Sequence, residues 1–408
     1  MSMWEEFPPT TTAEWEAAIR ADLKGADYER KLIWHTEEGI AVRPYYRRED
    51  LPGTTGQARF MGEWRARTAA EIPKDAVRGD LLHEQGATAV QEIGYAVAES
   101  DGKRDTFVFA IGSNYFFEIA KLRAARQVWA RISPRPMVIW SRTSLANKSL
   151  YDPSANLIRC TTEATSAVLG GCDVLLVDAA RFPAHLADSL MRILCEESHF
   201  EVVCDPGGGS YYIEALTASI AKEAWKVYES GLGTRDAAIA AARAAKEKNV
   251  AQRKRTLVGV NHYPDLTEVL PADAALPATP WRMAEPYEAL RRKVEKLGKR
   301  PRVLLLQRGN AKMRMARANF CLDFFGCAGF DVHMSETLEP ADLVVLCSSD
   351  AEYATLAKEI CPQTKAPVVV AGNPKEQMET LMALGVKDFV HVGVNAVEVL
   401  SRWQEALA

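Results

Sequence analysis

Few side chains in this sequence stand at spacings that chemistry needs. His83 opens a helical pattern, Asp205-Pro-Gly-Gly-Gly209 is a glycine-rich turn, and basic residues cluster at Arg243 to Lys248 and at Arg253 to Arg255. A histidine works as acid or base only within a constellation that positions it; alone at a helix start, His83 reads as a surface or capping residue. Triple glycine can cradle a phosphate, but here it lacks the Lys-Ser/Thr of a P-loop and the spacing of a dinucleotide fingerprint. A tight turn in which backbone approaches backbone is expected instead. The basic clusters read as a solvated helix face. Eight cysteines include no Cys-x-x-Cys pair, and those inside apolar runs read as reduced, buried thiols.

The elements that must position these residues are βα units. Thr106 to Gly112, Pro136 to Trp140 and Asp173 to Val177 are apolar runs, and helical periodicity follows at Tyr115 to Arg131 and Asn156 to Leu169. Parallel strands with crossover helices are implied. Arg65 to Ile72 is read as a strand, Leu81 to Ser100 as a helix, and Ile213 to Lys248 as a long helical region. After a proline- and alanine-rich stretch, Pro264 to Pro280, five strands alternate with helices: Arg302 to Leu306, Phe330 to His333, Leu343 to Cys347, Pro367 to Ala371 and Gly385 to His391. That is a flavodoxin-like, doubly wound pattern whose ligand crevice lies at the carboxyl ends of the strands, near Arg308 to Lys312, Ser348-Ser349 and Gly372-Asn373. The division expected is an arm, 1–53; a β/α domain, 54–263; a linker and helix, 264–300; and the doubly wound domain, 301–408.

Net charge of −4 and a pI near 6.1 leave no basic footprint for nucleic acid. No apolar run approaches the roughly 18 residues of a membrane span, and the acidic start Met1-Ser-Met-Trp-Glu-Glu6 is unlike a signal peptide, so a cytoplasmic protein is expected. The arm carries an amphipathic helix with Trp15, Ala18, Ile19 and Leu23 on one face, together with Trp4, Tyr28, Trp34, Tyr45 and Tyr46. So many aromatics need a surface to cover them, either this chain's own barrel or a partner's.

Several long segments, in order, resemble the small-subunit branch of the adenosylcobalamin-dependent methylmalonyl-CoA mutase family: Gly25 to Glu29, Thr36 to Tyr46, Gln85 to Glu92, Asn114 to Arg126, Asn147 to Pro153, Asp205 to Tyr212, Val258 to Asn261 and Cys347 to Asp350. The resemblance implies a TIM-type β/α barrel followed by a cobalamin-type domain. It also implies a cobalt-ligating histidine within Asp-x-His-x-x-Gly, where this chain has Ala311, Met313 and Ala316. No cofactor bound by this chain is expected, adenosylcobalamin being left to the partner subunit. At family active-site positions stand Leu81, with His83 two residues on, and Val138, Trp140 and Arg142. Arg104 and Thr106 match an arginine and a serine that contact the thioester substrate. Arg104, Thr106 and Arg142 are therefore the candidate, vestigial substrate residues, and no catalytic residue is expected.

Length adds a constraint. Only about thirty residues separate Gly53 from the match at Gln85, whereas a complete barrel takes about 250. A truncated barrel of about four βα units follows, with strand edges to be covered by the arm, a second copy or the partner. The function expected is a non-catalytic subunit supporting a catalytic large subunit that interconverts methylmalonyl-CoA and succinyl-CoA. Homo-oligomerisation is the other way to cover the edges, and a stand-alone CoA-thioester-binding scaffold is the alternative function.

Overall fold

A computed structural model describes residues 10–51 and 64–407; Trp4 lies outside them. The arm comprises α1 (Thr12–Asp22), α2 (Tyr28–Leu32) and an antiparallel hairpin of β1 (Trp34–His35) and β2 (Ala41–Val42). Thr11 and Glu14 close a capping box on α1, satisfying the first-turn amides that a helix otherwise leaves orphaned. Ile40 and Val42 are buried in the main core, and Trp34 and Tyr46 meet Phe117 and Tyr212. This part of the arm therefore packs on its own chain, whereas α1 has no buried residue.

The first sheet is wholly parallel and ordered β3-β7-β6-β5-β4. Its strands are β3 (Arg65–Ala66), β4 (Val77–Arg78), β5 (Thr106–Ile111), β6 (Val138–Thr143) and β7 (Val174–Leu176). The helices are α3 (Gly79–Glu84), α4 (Ala89–Glu99), α5 (Tyr115–Trp129), α6 (Pro153–Leu169), α7 (Ala184–Arg192), α8 (Tyr211–Ser230) and α9 (Arg235–Ala251). Alternation along β5 sends Phe107, Phe109 and Ile111 into the helix-covered core, and Val108 to the other face. There Val108, Trp140, Val174 and Leu176 are covered by Ile72 and Ala76, which come from the segment joining β3 to β4.

Three expectations change in detail. The strand expected over Arg65 to Ile72 is only two residues long before a 3-10 turn at Ala69–Glu71. The helix expected from Leu81 to Ser100 breaks at Gly86, whose φ of +109° suits glycine, and Thr88 caps a new helix there. The long helical region divides at Gly231. By contrast, Asp205 to Gly209 forms the expected turn, held by the Arg123 guanidinium on both Asp205 oxygens at 2.9 Å. Close packing of α4 on α8 depends on Gly94, since a Cβ there would lie 2.6 Å from Val227.

Residues 264–284 contain no helix or strand yet are firmly fixed. Met283 donates its amide to the Ala146 carbonyl at 2.9 Å, and buried Arg282 forks onto Glu288 with two 2.8 Å bonds. Next comes α10 (Glu285–Glu295), then the second parallel sheet, β12-β11-β10-β8-β9. It is built from β8 (Arg302–Gln307), α11 (Ala311–Gly326), β9 (Asp331–Ser335), β10 (Leu343–Cys347), α12 (Tyr353–Ile360), β11 (Val368–Ala371), α13 (Met378–Ala383), β12 (Val386–Val390) and α14 (Ala396–Leu407). This is the doubly wound order, with the switch point between β8 and β10. No helix among the described residues is long and apolar enough to cross a membrane.

Candidate functional site

At the carboxyl ends of β5 and β6 lies a cavity of about 530 Å³, on the edge of a parallel α/β sheet where ligands usually bind. It is lined by Gly112, Ser144 and His83, by apolar Trp34 and Phe117, and by Lys246 and Arg255. His83 Nε2 lies 2.9 Å from Ser144 Oγ, and Nδ1 lies 3.5 Å from a Glu92 oxygen. The reading of His83 as a surface or capping residue is thus corrected: short helix α3 turns it inward, where two partners fix both ring nitrogens.

Behind His83, fully buried Glu92 accepts the Ala110 amide at 2.7 Å and Lys121 Nζ at 3.1 Å, and Lys121 reaches Glu118 at 2.6 Å. Burial pushes the Glu92 carboxyl upward, but Lys121, His83 and the amide outweigh it and hold it below the usual range. Burial likewise opposes the charge on Lys121, and the two carboxylates overcome it. Sequence reasoning missed this group, although charges at Glu92 and Lys121 on otherwise apolar helix faces marked it. The basic clusters are also not wholly solvated. Lys246 is buried, donates to the Ala87 carbonyl at 2.8 Å, and has its pKa pushed down by that burial; Arg253 is clamped onto Asp323.

The candidate substrate residues do not converge. Arg104 precedes β5 and bonds the Glu99 carbonyl, while Thr106 opens β5 opposite Val138. Arg142 stands opposite Ala110, four residues further along and hence roughly 13 Å away at the usual strand rise. Its guanidinium forks onto Asp178 at 2.6 and 3.1 Å and lies 3.6 Å from buried Asp80, which Arg78 also engages. Of the other positions, Leu81 is exposed and Trp140 is buried beneath Ile72.

In the second sheet, Met313 sits on the first turn of α11, with its amide capped by Asn310 at 3.1 Å. His333 is engaged by Asp331 of its own strand at 2.9 Å. Among the described residues no three His, Cys, Asp or Glu side chains gather as metal ligands, and all eight cysteines are unpaired. Across the switch point, Glu352 accepts bonds from Ser348 Oγ (2.6 Å), Ser349 Oγ (2.5 Å) and the amides of Ser349 and Asn310 (3.2 Å each). The two hydroxyls lead in lowering its pKa from 4.5 to about 2. A depressed folded-state value stabilises the fold above pH 4.5 and loses that contribution as pH falls toward 2. The urea midpoint of Glu352→Gln should therefore fall less than that of the unsubstituted chain between pH 6 and pH 3; equal falls would mean these bonds do not matter.

Comparison with known proteins adds the following. A family model described as methylmalonyl-CoA mutase matches residues 101–279. A methylmalonyl-CoA mutase small subunit of Porphyromonas gingivalis (strain ATCC BAA-308 / W83) is 30% identical over 607 aligned positions, covering 99% of this chain and 98% of that protein. This chain has 408 residues, so about 200 of those positions lie opposite none of its residues. The Streptomyces virginiae methylmalonyl-CoA mutase small subunit is 31% identical over 421 positions, covering 84% of this chain and 65% of that protein. Against that relative the chain spans just under two thirds of its length. A methylmalonyl-CoA mutase of Cereibacter sphaeroides is 34% identical over 245 positions, 48% of this chain and 34% of that protein.

Proposed function

This chain belongs to the methylmalonyl-CoA mutase family, and from that premise we propose that it is a non-catalytic subunit supporting a catalytic subunit that uses adenosylcobalamin to interconvert methylmalonyl-CoA and succinyl-CoA. The observation that carries the reading is α1. Along its apolar side Trp15 is exposed and Ile19 and Leu23 are half-buried, and among the described residues Trp15 meets Tyr45, Arg20 stands over the Tyr28 ring and Arg47 bonds the Thr10 carbonyl. An isolated eleven-residue helix is marginal in water, and a capped one with an exposed Trp15 beside half-buried Ile19 and Leu23 suits a partner's surface.

The first sheet supports the same reading as an arc of a β/α barrel. In a closed barrel the last strand pairs with the first; here β7 pairs with β3, and β4 is left at the far edge. The segment joining β3 to β4 folds over the sheet and sets Ile72 and Ala76 on its inner face, which suits a barrel shortened against the Porphyromonas relative. Both edge strands are two residues long, which limits their reach as pairing templates.

The residues in place do not suit cobalamin. Met313 offers a thioether where an imidazole would serve, and neither Asn310 nor Ala311 supplies the carboxylate that orients such a ligand. The stand-alone CoA-thioester reading is less favoured, because Arg104 and Thr106 lie apart from Arg142 and the latter is already taken by Asp178.

The test is association. Trp15→Ala combined with Ile19→Ser should weaken binding to a full-length catalytic subunit about 30-fold, the effect of losing an anchor worth about 2 kcal/mol, and leave the melting of the isolated chain unchanged. Sedimentation equilibrium reads this directly. Unchanged affinity would remove α1 from the interface and with it the support for this reading.

A further inference from the structure

The cavity beside His83 lies on the helix-covered side of the first sheet. Phe117 and Ala89, which line it, belong to the core on that side, whereas Trp140 and, two residues on, Arg142 point to the opposite face. It is therefore a different place from the face that carries the candidate substrate residue Arg142. The arm contributes one wall: Trp34 of β1 stands edge-on to Phe117 with ring centroids 6.4 Å apart, and Glu37 and Glu38 of the same hairpin line the cavity too. At about 530 Å³ it has room for a small molecule, since ligand pockets run from roughly 300 to 1,000 Å³.

The charges around this cavity are not matched. Arg255 donates to both Glu37 oxygens at 3.1 Å, and Glu118 is held from behind by Lys121 at 2.6 Å. Burial pushes the Glu38 carboxyl up, so it carries less negative charge than a free one. Lys246 is left over. It is only 7% exposed, and its one hydrogen bond among the described residues goes to the Ala87 carbonyl at 2.8 Å. Burial and then Arg255 push its pKa down, against the weaker pull of Glu37, Glu38 and Glu92. An ammonium has three N–H donors, and burying it without a paired carboxylate costs stability that the fold does not recover. Lys254 adds positive charge at the same cavity. What the site lacks is an anion, and Trp34 and Phe117 offer the body of that anion an aromatic surface.

We propose that the cavity binds a small organic carboxylate, its carboxylate on Lys246 and its apolar body against Trp34 and Phe117. A charge-assisted bond to a buried ammonium is stronger than one in water, and the apolar wall sets the site against phosphate and acetate, which have little or no such body. Because one wall belongs to the arm, the ligand also ties the β1–β2 hairpin to the first sheet, and the occupied chain melts higher by mass action. The proposal goes beyond the subunit reading and does not rest on it. Its test involves no partner, so the two can fail separately.

The experiment is calorimetric titration of the full chain with sodium benzoate at pH 7, with acetate and inorganic phosphate as parallel ligands, for the unsubstituted protein, Lys246→Met and Trp34→Ala. Benzoate should bind the unsubstituted chain saturably with a dissociation constant of about 1 mM or tighter, and acetate and phosphate about tenfold more weakly or not at all. Lys246→Met should weaken benzoate about tenfold or more, the effect of losing one bond to a charged group. Trp34→Ala, at an exposed position of the hairpin, should weaken it about fivefold. Should Lys246→Met fail to fold, Trp34→Ala carries the test. No saturable benzoate binding, phosphate binding as tight as benzoate, or benzoate binding unchanged in a folded variant overturns the proposal.

Discussion

Replacing Lys121 of α5 by methionine should lower the melting temperature by roughly 10 °C. Lys121 is fully buried between Glu92 and Glu118 and also donates to the Ala110 carbonyl. Methionine fills much of the same space but leaves two carboxylates inside without a cation. Breaking a buried ion pair from one side costs about 3–5 kcal/mol, and each kcal/mol shifts melting by about 2–4 °C in domains of 150–250 residues. Adding Glu92→Gln and Glu118→Gln should recover much of the loss, because the penalty lies in the unpaired charges more than in the missing bonds. Thermal unfolding followed by circular dichroism checks both statements. A shift below about 2 °C for the single variant would mean that solvent reaches the carboxylates, and that Glu92 does not rigidly position His83.

How far the sequence disclosed this molecule depends on the physical signal at each place. The second sheet was legible strand by strand, because buried parallel strands are continuous apolar runs, as in Leu343-Val-Val-Leu-Cys347, and turn residues separate them from amphipathic helices. The pairing of β3 with β7 was not: two residues carry no periodicity, and their partner lies over a hundred positions away. The cavity at His83 was hidden for a related reason. His83, Glu92 and Lys121 lie on three different helices and Ser144 in the loop after β6, so the charges at Glu92 and Lys121 on apolar faces show that something is buried there but not what they meet. Arg104, Thr106 and Arg142 pose a different problem, since likeness to a family aligns residue types while strand register decides how far apart they stand. Glu352 was legible in part, since Ser349-x-x-Glu352 has capping-box spacing, but its bond to the Asn310 amide comes from a loop of another strand.

The second large effect concerns activity. The chain by itself should not convert methylmalonyl-CoA to succinyl-CoA, because Met313 offers a thioether where the proposed reading needs an imidazole, and Arg142 is engaged by Asp178. Radical chemistry of this kind also needs a site closed to water, and among the described residues β3 and β4 stand at the two ends of the first sheet. Met313→His should not create activity, since it restores neither a neighbouring carboxylate nor a barrel.

The most direct measurement is co-expression with a full-length methylmalonyl-CoA mutase subunit carrying Asp-x-His-x-x-Gly, followed by size-exclusion chromatography with mutase assays on every fraction in the presence of adenosylcobalamin. The account predicts that this chain elutes with the catalytic subunit in the active peak, and that any fraction of it running free is inactive. A chain that elutes entirely by itself, or a free fraction that turns over methylmalonyl-CoA, would contradict it.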